Sequence, residues 1–441
     1  MRRMITILIT VLLAACSSGD DGAVAECSIE GQKQFVLDSM REWYFWNDLL
    51  PAEVDTSQFA TPGDLLEFLK TFSPIGSDGL PVDTSFSFIT TAAADDARFS
   101  QGEFEGYGIV LRYIAADRIQ LAKVFANGPA GAGGLERGHE ILSLNGRTIA
   151  DIVAAEGVSA LLETSPVTFE MRRLDGSEFE VSVTRGTVTI DPVPQRRIID
   201  AGGGRNIGYL ELASFILPAE PAMEAVFDEF NEAGVNDVII DLRYNGGGLV
   251  STSNLLGDYL GGEVAENLIF SKTLFNANRS AENDSIEFFG RLMNSMSLSR
   301  LVAITASGTA SASELVINGM EPHVETVLVG SDTFGKPVGQ VGLEFCGDLL
   351  RVVAFETVNA DDVGRYFDGL PVDCAAGDDL SIPVGAVNDP NLIAAETYLA
   401  TGACPVVEGP PQAQAARIGG SEALPQVDRR GPPAREFLRA F

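Results

Sequence analysis

The chain has 441 residues, of which 45% are hydrophobic, so it is long and apolar enough to form two or three domains with filled cores. Its 62 acidic residues outnumber 30 basic ones, and the formal net charge is −32. Because phosphate contacts need a basic surface, this balance excludes nucleic acid as a partner. An acidic surface of this size is typical of a soluble, solvated protein.

Residues 1–15 have the pattern of a secretory signal peptide. Two arginines precede an apolar segment at 5–13, which is too short to span a membrane as a mature helix. The letters "LAAC" ending at Cys16 resemble a bacterial lipobox, which implies a lipidated Cys16 as the mature N-terminus; ordinary cleavage beside a chance cysteine is the alternative. Residues 16–28 then form a polar tether. By the same resemblance, Ser17 implies the outer membrane of a Gram-negative cell envelope, facing the periplasm.

The remaining cysteines are Cys27, Cys346, Cys374 and Cys404. An even number in an exported chain favours two disulfides, for which three pairings exist. We predict that Cys346 pairs with Cys374, stapling the acidic segment between them, and that Cys16 forms no disulfide. No C-x-x-C spacing occurs and the two histidines lie far apart, so we expect neither a metal site nor a cofactor.

Residues 29–100 are predicted to form an N-terminal helical domain. Four large side chains recur there near one helical face: Phe35, Met40, Trp43 and Trp46. This spacing favours a buried core over a cofactor site. A second helix is predicted to start at Thr61 as the cap, with Pro62 at its first position.

Residues 101–190 read as short alternating strands, which is typical of a β-rich domain. The stretch "GPAGAGGLERGHEILSLNGRTI" resembles the PDZ signature, with His139 in a position that is usually Asp; we expect His139 to be a turn residue. Tyr107, Gly108 and Ile109 match the PDZ loop whose backbone N–H groups bind a chain-terminal carboxylate. A β-bulge with permissive glycines is the alternative interpretation.

Residues 191–404 alternate apolar runs with helical segments, as α/β domains do. Buried strands are predicted in "DVIIDLR" (237–243) and "LVAIT" (301–305). The turn "YNGGGL" follows the first strand, and "GTASASELVINGM" follows the second and begins a helix. Residues 405–441 are rich in Pro, Ala, Gln and Gly and are predicted to be a disordered tail.

Ser311 has two interpretations. With Glu314 it fits the S-x-x-E capping box of a helix start. A serine at the N-terminus of a helix is also well placed for nucleophilic attack, because free N–H groups and the positive end of the dipole can hold an oxyanion. Gly247 or Gly248 can supply a second oxyanion donor beside the N–H of Ala312; a tight turn is the alternative role for these glycines.

Lys336 is the candidate base. Only five of the 30 basic residues are lysines, and this one lies in a glycine-rich turn. A buried lysine can lose its proton and act as a general base, whereas arginine cannot. His323 is the weaker candidate, because it lies about three helical turns beyond Ser311 and has no identifiable carboxylate partner.

Together, "SASE", "VLVGSDTFGKPVGQ" and "DVIIDLRYNGGGL" resemble the carboxy-terminal processing, or tail-specific, proteases, and the resemblance covers about residues 30–400. It implies a multidomain α/β fold: an N-terminal helical segment, a β-rich PDZ domain and a ClpP/crotonase-like α/β serine protease core. The matching positions imply these roles: Ser311 as nucleophile, Lys336 as base, Gln340 as the residue that orients the lysine, and Gly247 and Ala312 as oxyanion donors.

Two departures from the family pattern are Pro337 after the lysine and "EPHVET" at 321–326, which lacks a frequent aspartate. Neither replaces the serine or the lysine. The resemblance therefore implies a lipid-anchored serine endopeptidase that recognises the free C-termini of protein or peptide substrates through its PDZ domain. The alternative is a non-catalytic PDZ lipoprotein that acts as a scaffold or adaptor.

Overall fold

The computed structural model describes residues 27–155 and 157–405. The predicted signal peptide, Cys16, most of the tether and the predicted tail from residue 406 onward lie outside the described residues. Within the described ranges, no helix combines the length and the apolar character that crossing a bilayer requires.

The N-terminal region contains two substantial helices and one strand. Its elements are α1 (Ile29–Trp43), α2 (Pro62–Lys70), β1 (Phe88–Thr91) and the short α3 (Ala92–Asp96). Helix α2 begins as predicted, because Thr61 and Asp64 form a capping box and Pro62 occupies the first helical position. Met40 and Trp46 are buried, which confirms their predicted place in the core.

The PDZ region is a small β-rich unit. Its elements are β2 (Glu103–Gly106), β3 (Ile109–Ala115), β4 (Arg118–Val124), α4 (Pro129–Ala132), β5 (Glu140–Leu144), β6 (Arg147–Thr148), α5 (Ile149–Ala155), α6 (Val158–Leu162), β7 (Val167–Arg172), β8 (Glu178–Val183) and β9 (Gly186–Thr189). The main sheet has the order β3-β4-β5-β7-β8, so β3 is an edge strand. Strands β2 and β9 pair as an antiparallel ribbon where the chain enters and leaves this unit.

The core follows. Its elements are β10 (Gln195–Asp200), β11 (Asn206–Glu211), α7 (Ala219–Glu232), β12 (Val235–Asp241), α8 (Val250–Gly261), β13 (Ile269–Phe275), α9 (Ser280–Asn283), β14 (Ser285–Phe288), β15 (Arg300–Thr305), α10 (Ala312–Met320), β16 (Glu325–Gly330), β17 (Val338–Phe345), β18 (Asp348–Val358), β19 (Cys374–Ala375) and α11 (Pro390–Thr401). One sheet has the order β10-β11-β12-β15-β16-β19, and β12 and β15 are parallel neighbours. The turns after these two strands therefore meet at one edge of the sheet, where α/β proteins commonly bind ligands.

A second sheet joins the core to the N-terminal region. It contains β1, β18, β13 and β14 in that order, and β17 also pairs with β18. Buried side chains of α1 and α2 pack against β17 and β18 in one apolar cluster, which includes Leu65, Leu66, Val338 and Leu350. The strand that carries Gln340 is thus covered by the N-terminal region.

The predicted Cys346–Cys374 disulfide is wrong. The structure pairs Cys27 with Cys346 and Cys374 with Cys404. Cys346 lies in the turn between β17 and β18, close to the start of α1, whereas Cys374 lies in β19 at the edge of the other sheet. The prediction failed because it assumed that the segment between these two cysteines closes on itself as one loop, whereas its two ends belong to different sheets.

Candidate active site

Ser311 lies in the turn between β15 and α10, immediately before the helix begins. Its backbone has φ 58° and ψ −116°, a positive φ that residues other than glycine seldom adopt and that costs about 1–3 kcal/mol. An ordinary capping residue is extended, as Thr61 is with φ −130° and ψ 162°. Glu314 accepts the N–H of Ser311, as the capping-box interpretation requires, but a cap does not need a positive φ, and this strain at the positive end of a helix favours a functional serine.

Glu314, on the first turn of α10, is fully buried. Its Oε2 accepts the backbone N–H groups of Ser311 and Lys336, each at 2.8 Å. Its Oε1 accepts the N–H of Gly335 at 2.7 Å and the hydroxyl of Thr333 at 2.5 Å. Burial raises the pKa of Glu314, and these hydrogen bonds oppose the rise by favouring the ionised form. One carboxylate oxygen therefore fixes the serine turn and the lysine turn side by side.

The side chain of Lys336 is almost fully buried. Its Nζ donates to Oε1 of Gln340 at 2.9 Å and lies 5.5 Å from the ring centroid of Phe86. Burial, the largest cause, lowers the pKa of Lys336 to about 8. A substantial fraction of this amine is neutral at slightly alkaline pH, and the neutral form is the one that can accept a proton.

The glycine turn after β12 contacts the serine turn directly. A Cβ atom added to Gly247 would lie 2.8 Å from both the carbonyl oxygen of Ala310 and the Cβ of Ser311, so a side chain does not fit there. The N–H of Gly247 donates to Oδ1 of Asn245 at 2.9 Å. The expected Gly247 oxyanion donor is thus already paired within its own turn. The N–H of Gly248, the other glycine considered, has no protein acceptor in the described part of the chain.

The expected carboxylate-binding loop lies at the start of the edge strand β3. Tyr107 is buried, and its hydroxyl donates to the carbonyl oxygen of Thr164 at 2.6 Å. Gly108 has φ 75°, and its carbonyl oxygen accepts the N–H of Phe125 at 2.9 Å. The loop is therefore fixed from both sides, while the outer edge of the strand that begins at Ile109 pairs with no other strand of the described chain.

Neither histidine is placed for catalysis. The Nε2 of His323 lies 2.8 Å from the carbonyl oxygen of Ile269, and its ring packs edge-on against Phe289. His139 accepts the N–H of Glu136 through Nδ1 at 3.2 Å, as expected for a turn residue. Both imidazoles are thus engaged in local structure.

Sequence reasoning missed two contributions to this site. The S-x-x-E spacing indicates a cap, but nothing in it signals that Glu314 also binds the lysine turn. Phe86 comes from the N-terminal region, and no periodicity connects it to Lys336. Among the described residues, no group of three or more His, Cys, Asp and Glu side chains is arranged to hold a metal ion.

Three family models match the chain. They are the N-terminal domain of S41 peptidases at residues 31–88, the PDZ domain at 98–172 and peptidase family S41 at 206–368. The order of the three models along the chain matches the order of the N-terminal region, the PDZ region and the core in the structure.

Curated relatives carry consistent names. The carboxyl-terminal-processing protease of Picosynechococcus is 26% identical over 275 residues, and the protease of that name from Synechocystis is 25% identical over 272 residues. Each alignment covers 60% of this chain, and the alignments span 63% and 61% of the relatives' own lengths.

Solved structures share the fold. An S41-type protein from Bacteroides fragilis has a TM-score of 0.63 at 23% identity, covering 84% of this chain and 97% of its own. A photosystem II D1 C-terminal processing protease has a TM-score of 0.52 at 20% identity, covering 86% and 99%. The three matching models, in the order of the observed regions, show that this chain belongs to peptidase family S41.

Proposed function

We propose that the protein is a serine endopeptidase in which Ser311 is the nucleophile and Lys336 the general base. The observation that carries the proposal is the shared Glu314 oxygen, which fixes a strained serine beside a buried lysine of lowered pKa. Family membership and the names of the relatives support the same activity.

The chemistry runs through an acyl-enzyme. Neutral Lys336 takes the proton of Ser311 Oγ as this oxygen attacks the carbonyl carbon of the scissile peptide bond. The lysine then gives the proton to the leaving nitrogen, and the amine product departs with the C–N bond broken. A water molecule, deprotonated by the lysine, hydrolyses the ester and regenerates Ser311. Gln340 orients the amine by accepting one of its N–H groups.

The N–H of Ala312 and one donor from the glycine turn stabilise the oxyanion. Gly248 suits this role better than Gly247, because Gly247 must first release Oδ1 of Asn245. Asn245 also accepts the N–H of Ala310 through its carbonyl oxygen at 3.1 Å, which keeps the glycine turn against the serine turn.

A substrate's free C-terminus binds the PDZ region. The loop of Tyr107, Gly108 and Ile109 takes the carboxylate, and the peptide adds a strand to the open edge of β3. Peptides with a free, apolar C-terminal residue should bind more tightly than their amidated forms, because amidation removes charge-assisted hydrogen bonds. Equal affinity of the two forms in a calorimetric titration rules this mode out.

Export to the periplasm, with a lipid on Cys16, completes the proposal. Two disulfides in the described chain support an oxidising compartment. Mass spectrometry of native protein should find a diacylated Cys16, and Cys16→Ala should release the protein from membranes. An unmodified N-terminus contradicts the anchor.

A fluorophosphonate probe tests the activity directly. Wild-type protein should be labelled at Ser311, and Ser311→Ala should abolish both labelling and peptide hydrolysis while leaving the fold intact. His323→Ala is the control and should retain both. If Ser311 is only a cap, Ser311→Ala costs about 1 kcal/mol of stability and leaves hydrolysis unchanged, whereas an unlabelled wild type supports the adaptor alternative.

A further inference from the structure

A turn of the N-terminal region reaches the lysine pocket. Gln340 donates a hydrogen bond through Nε2 to the carbonyl oxygen of Phe86. Its Oε1 accepts a hydrogen bond from the Nζ of Lys336. A primary amide has its acceptor on one side and its donors on the other. The Phe86 carbonyl therefore selects the amide orientation in which the acceptor faces the lysine. The ring of Phe86 covers the same amine.

Asp83 holds this turn in place. Its side chain is fully buried, and Oδ1 accepts the N–H groups of Phe86 at 3.0 Å and Ser87 at 2.8 Å. Its Oδ2 accepts the hydroxyl of Ser87 at 2.7 Å. The same hydroxyl accepts the N–H of Val353 on β18 at 3.0 Å, which ties the turn to the sheet. Within the described residues, no basic side chain forms a salt bridge with Asp83.

We propose that Asp83 is a positioning residue of the active site, which holds Gln340 and Lys336 in their working orientation through the backbone of Phe86. The inference rests on the proposed function, because it gives a role to a residue that acts through the general base. It makes the N-terminal region a part of the catalytic apparatus rather than only a cover over the second sheet.

The charge of Asp83 also bears on the lysine. The charged groups that face Lys336 are Asp83 and Glu314, whose carboxylates raise its pKa, and Arg351, which lowers it; burial lowers it most. Removing the Asp83 carboxylate removes an attraction for the protonated amine. The pKa of Lys336 should then fall further. The rise of kcat with pH, which is the acidic limb of the pH–activity profile, should therefore move to lower pH.

Asp83→Asn is the decisive variant, because it keeps the shape of the side chain, removes its charge and replaces the Oδ2 acceptor of the Ser87 hydroxyl with an amide donor. We expect kcat to fall about tenfold, a part of the factor of about 10²–10⁴ that a positioned general base contributes, with KM nearly unchanged and the acidic limb at lower pH. Asp64→Asn is the matched control: it removes an exposed carboxylate that caps α2 in the same region, and it should leave kcat and the limb unchanged.

A folded Asp83→Asn protein with wild-type kcat and an unmoved acidic limb overturns the inference. If this variant does not fold, Ser87→Ala takes its place, because it removes a hydrogen bond to Asp83 and the link to Val353 without touching Lys336 or Gln340; wild-type kcat in that variant also overturns the inference. Wild type and Lys336→Arg are measured in parallel. An inactive wild type or an active Lys336→Arg defeats the proposed function itself, whereas failure at Asp83 alone defeats only the positioning role.

Discussion

The N-terminal region and the PDZ region are joined to the core in different ways. Buried side chains of the N-terminal helices, such as Leu65, share one apolar cluster with β17 and β18, the strands beside the lysine. The PDZ region has an apolar cluster of its own, which includes Leu144 and Phe169. A few of its side chains join the core cluster, and polar pairs such as Lys123 with Glu211 add to the contact. The N-terminal region therefore shares its apolar cluster with β17 and β18, whereas the PDZ region keeps an apolar cluster of its own and meets the core through side chains such as Arg137, which donates to Tyr244 and Asp378.

The largest effect is expected at Lys336, where the N-terminal region meets the core. Lys336→Arg keeps a positive charge and similar bulk but cannot lose its proton, so kcat/KM should fall by a factor of about 10²–10⁴. Lys272→Arg is the control, because this lysine pairs with the exposed Asp362 and should tolerate the change. Near-normal hydrolysis by Lys336→Arg contradicts the assignment of the base.

Matched leucine truncations test whether the N-terminal region and the PDZ region differ in their effect on Ser311. Leu65 in α2 and Leu144 in β5 both have 0% exposure, and each change to Ala should cost about 2–5 kcal/mol. Leu65→Ala should slow the labelling of Ser311 by a fluorophosphonate, because it loosens the packing over β17. Leu144→Ala should weaken peptide binding and leave labelling near normal. Equal loss of labelling in both variants contradicts the distinction between the regions.

The two disulfides should also differ in their functional effect. Replacing either pair by serine should lower stability by about 2–4 kcal/mol. Cys27 and Cys346 tie the start of the N-terminal region to the turn between β17 and β18, so their loss should slow labelling as well. Loss of Cys374 and Cys404 should lower the melting temperature with little change in labelling of the remaining folded protein. The reverse pattern speaks against a catalytic role for the N-terminal region.

The smallest effect is expected at one of the ion pairs between the PDZ region and the core. Lys123 lies 3.0 Å from Glu211, and both side chains are largely buried. Lys123→Met keeps the apolar stem and leaves a mostly buried carboxylate without this partner, which should cost about 1–3 kcal/mol in thermal unfolding. Labelling of Ser311 should not change. A large loss of labelling means that the contact between the PDZ region and the core affects Ser311, which contradicts the proposed difference between the two regions.

Much of the fold follows from local patterns in the sequence. The start of α2 at Thr61 and Pro62, and the buried strands β12 and β15, were expected from capping chemistry and continuous apolar runs. Such signals are readable because each depends on residues only a few positions apart.

The remaining features depend on contacts between distant parts of the chain. The bond from Gln340 to the Phe86 carbonyl and the Cys27–Cys346 disulfide join segments far apart in sequence. The glycine turn could be predicted only in part. A glycine cluster indicates that the backbone approaches closely, but which N–H group stays free depends on the hydrogen bond between the Gly247 N–H and the side chain of Asn245. Spacing alone specifies neither outcome.

The most direct test of the central claim is the pH dependence of Ser311 labelling, measured as a second-order rate constant in wild type and Lys336→Arg. Burial lowers the pKa of Lys336 to about 8, and only the neutral amine can take the serine proton. The wild-type rate should therefore rise about tenfold per pH unit below that pKa and level off above it, while Lys336→Arg stays near background throughout. A pH-independent rate, or a limb near pH 6.5 that disappears in His323→Ala, would contradict the assignment of Lys336 as the base.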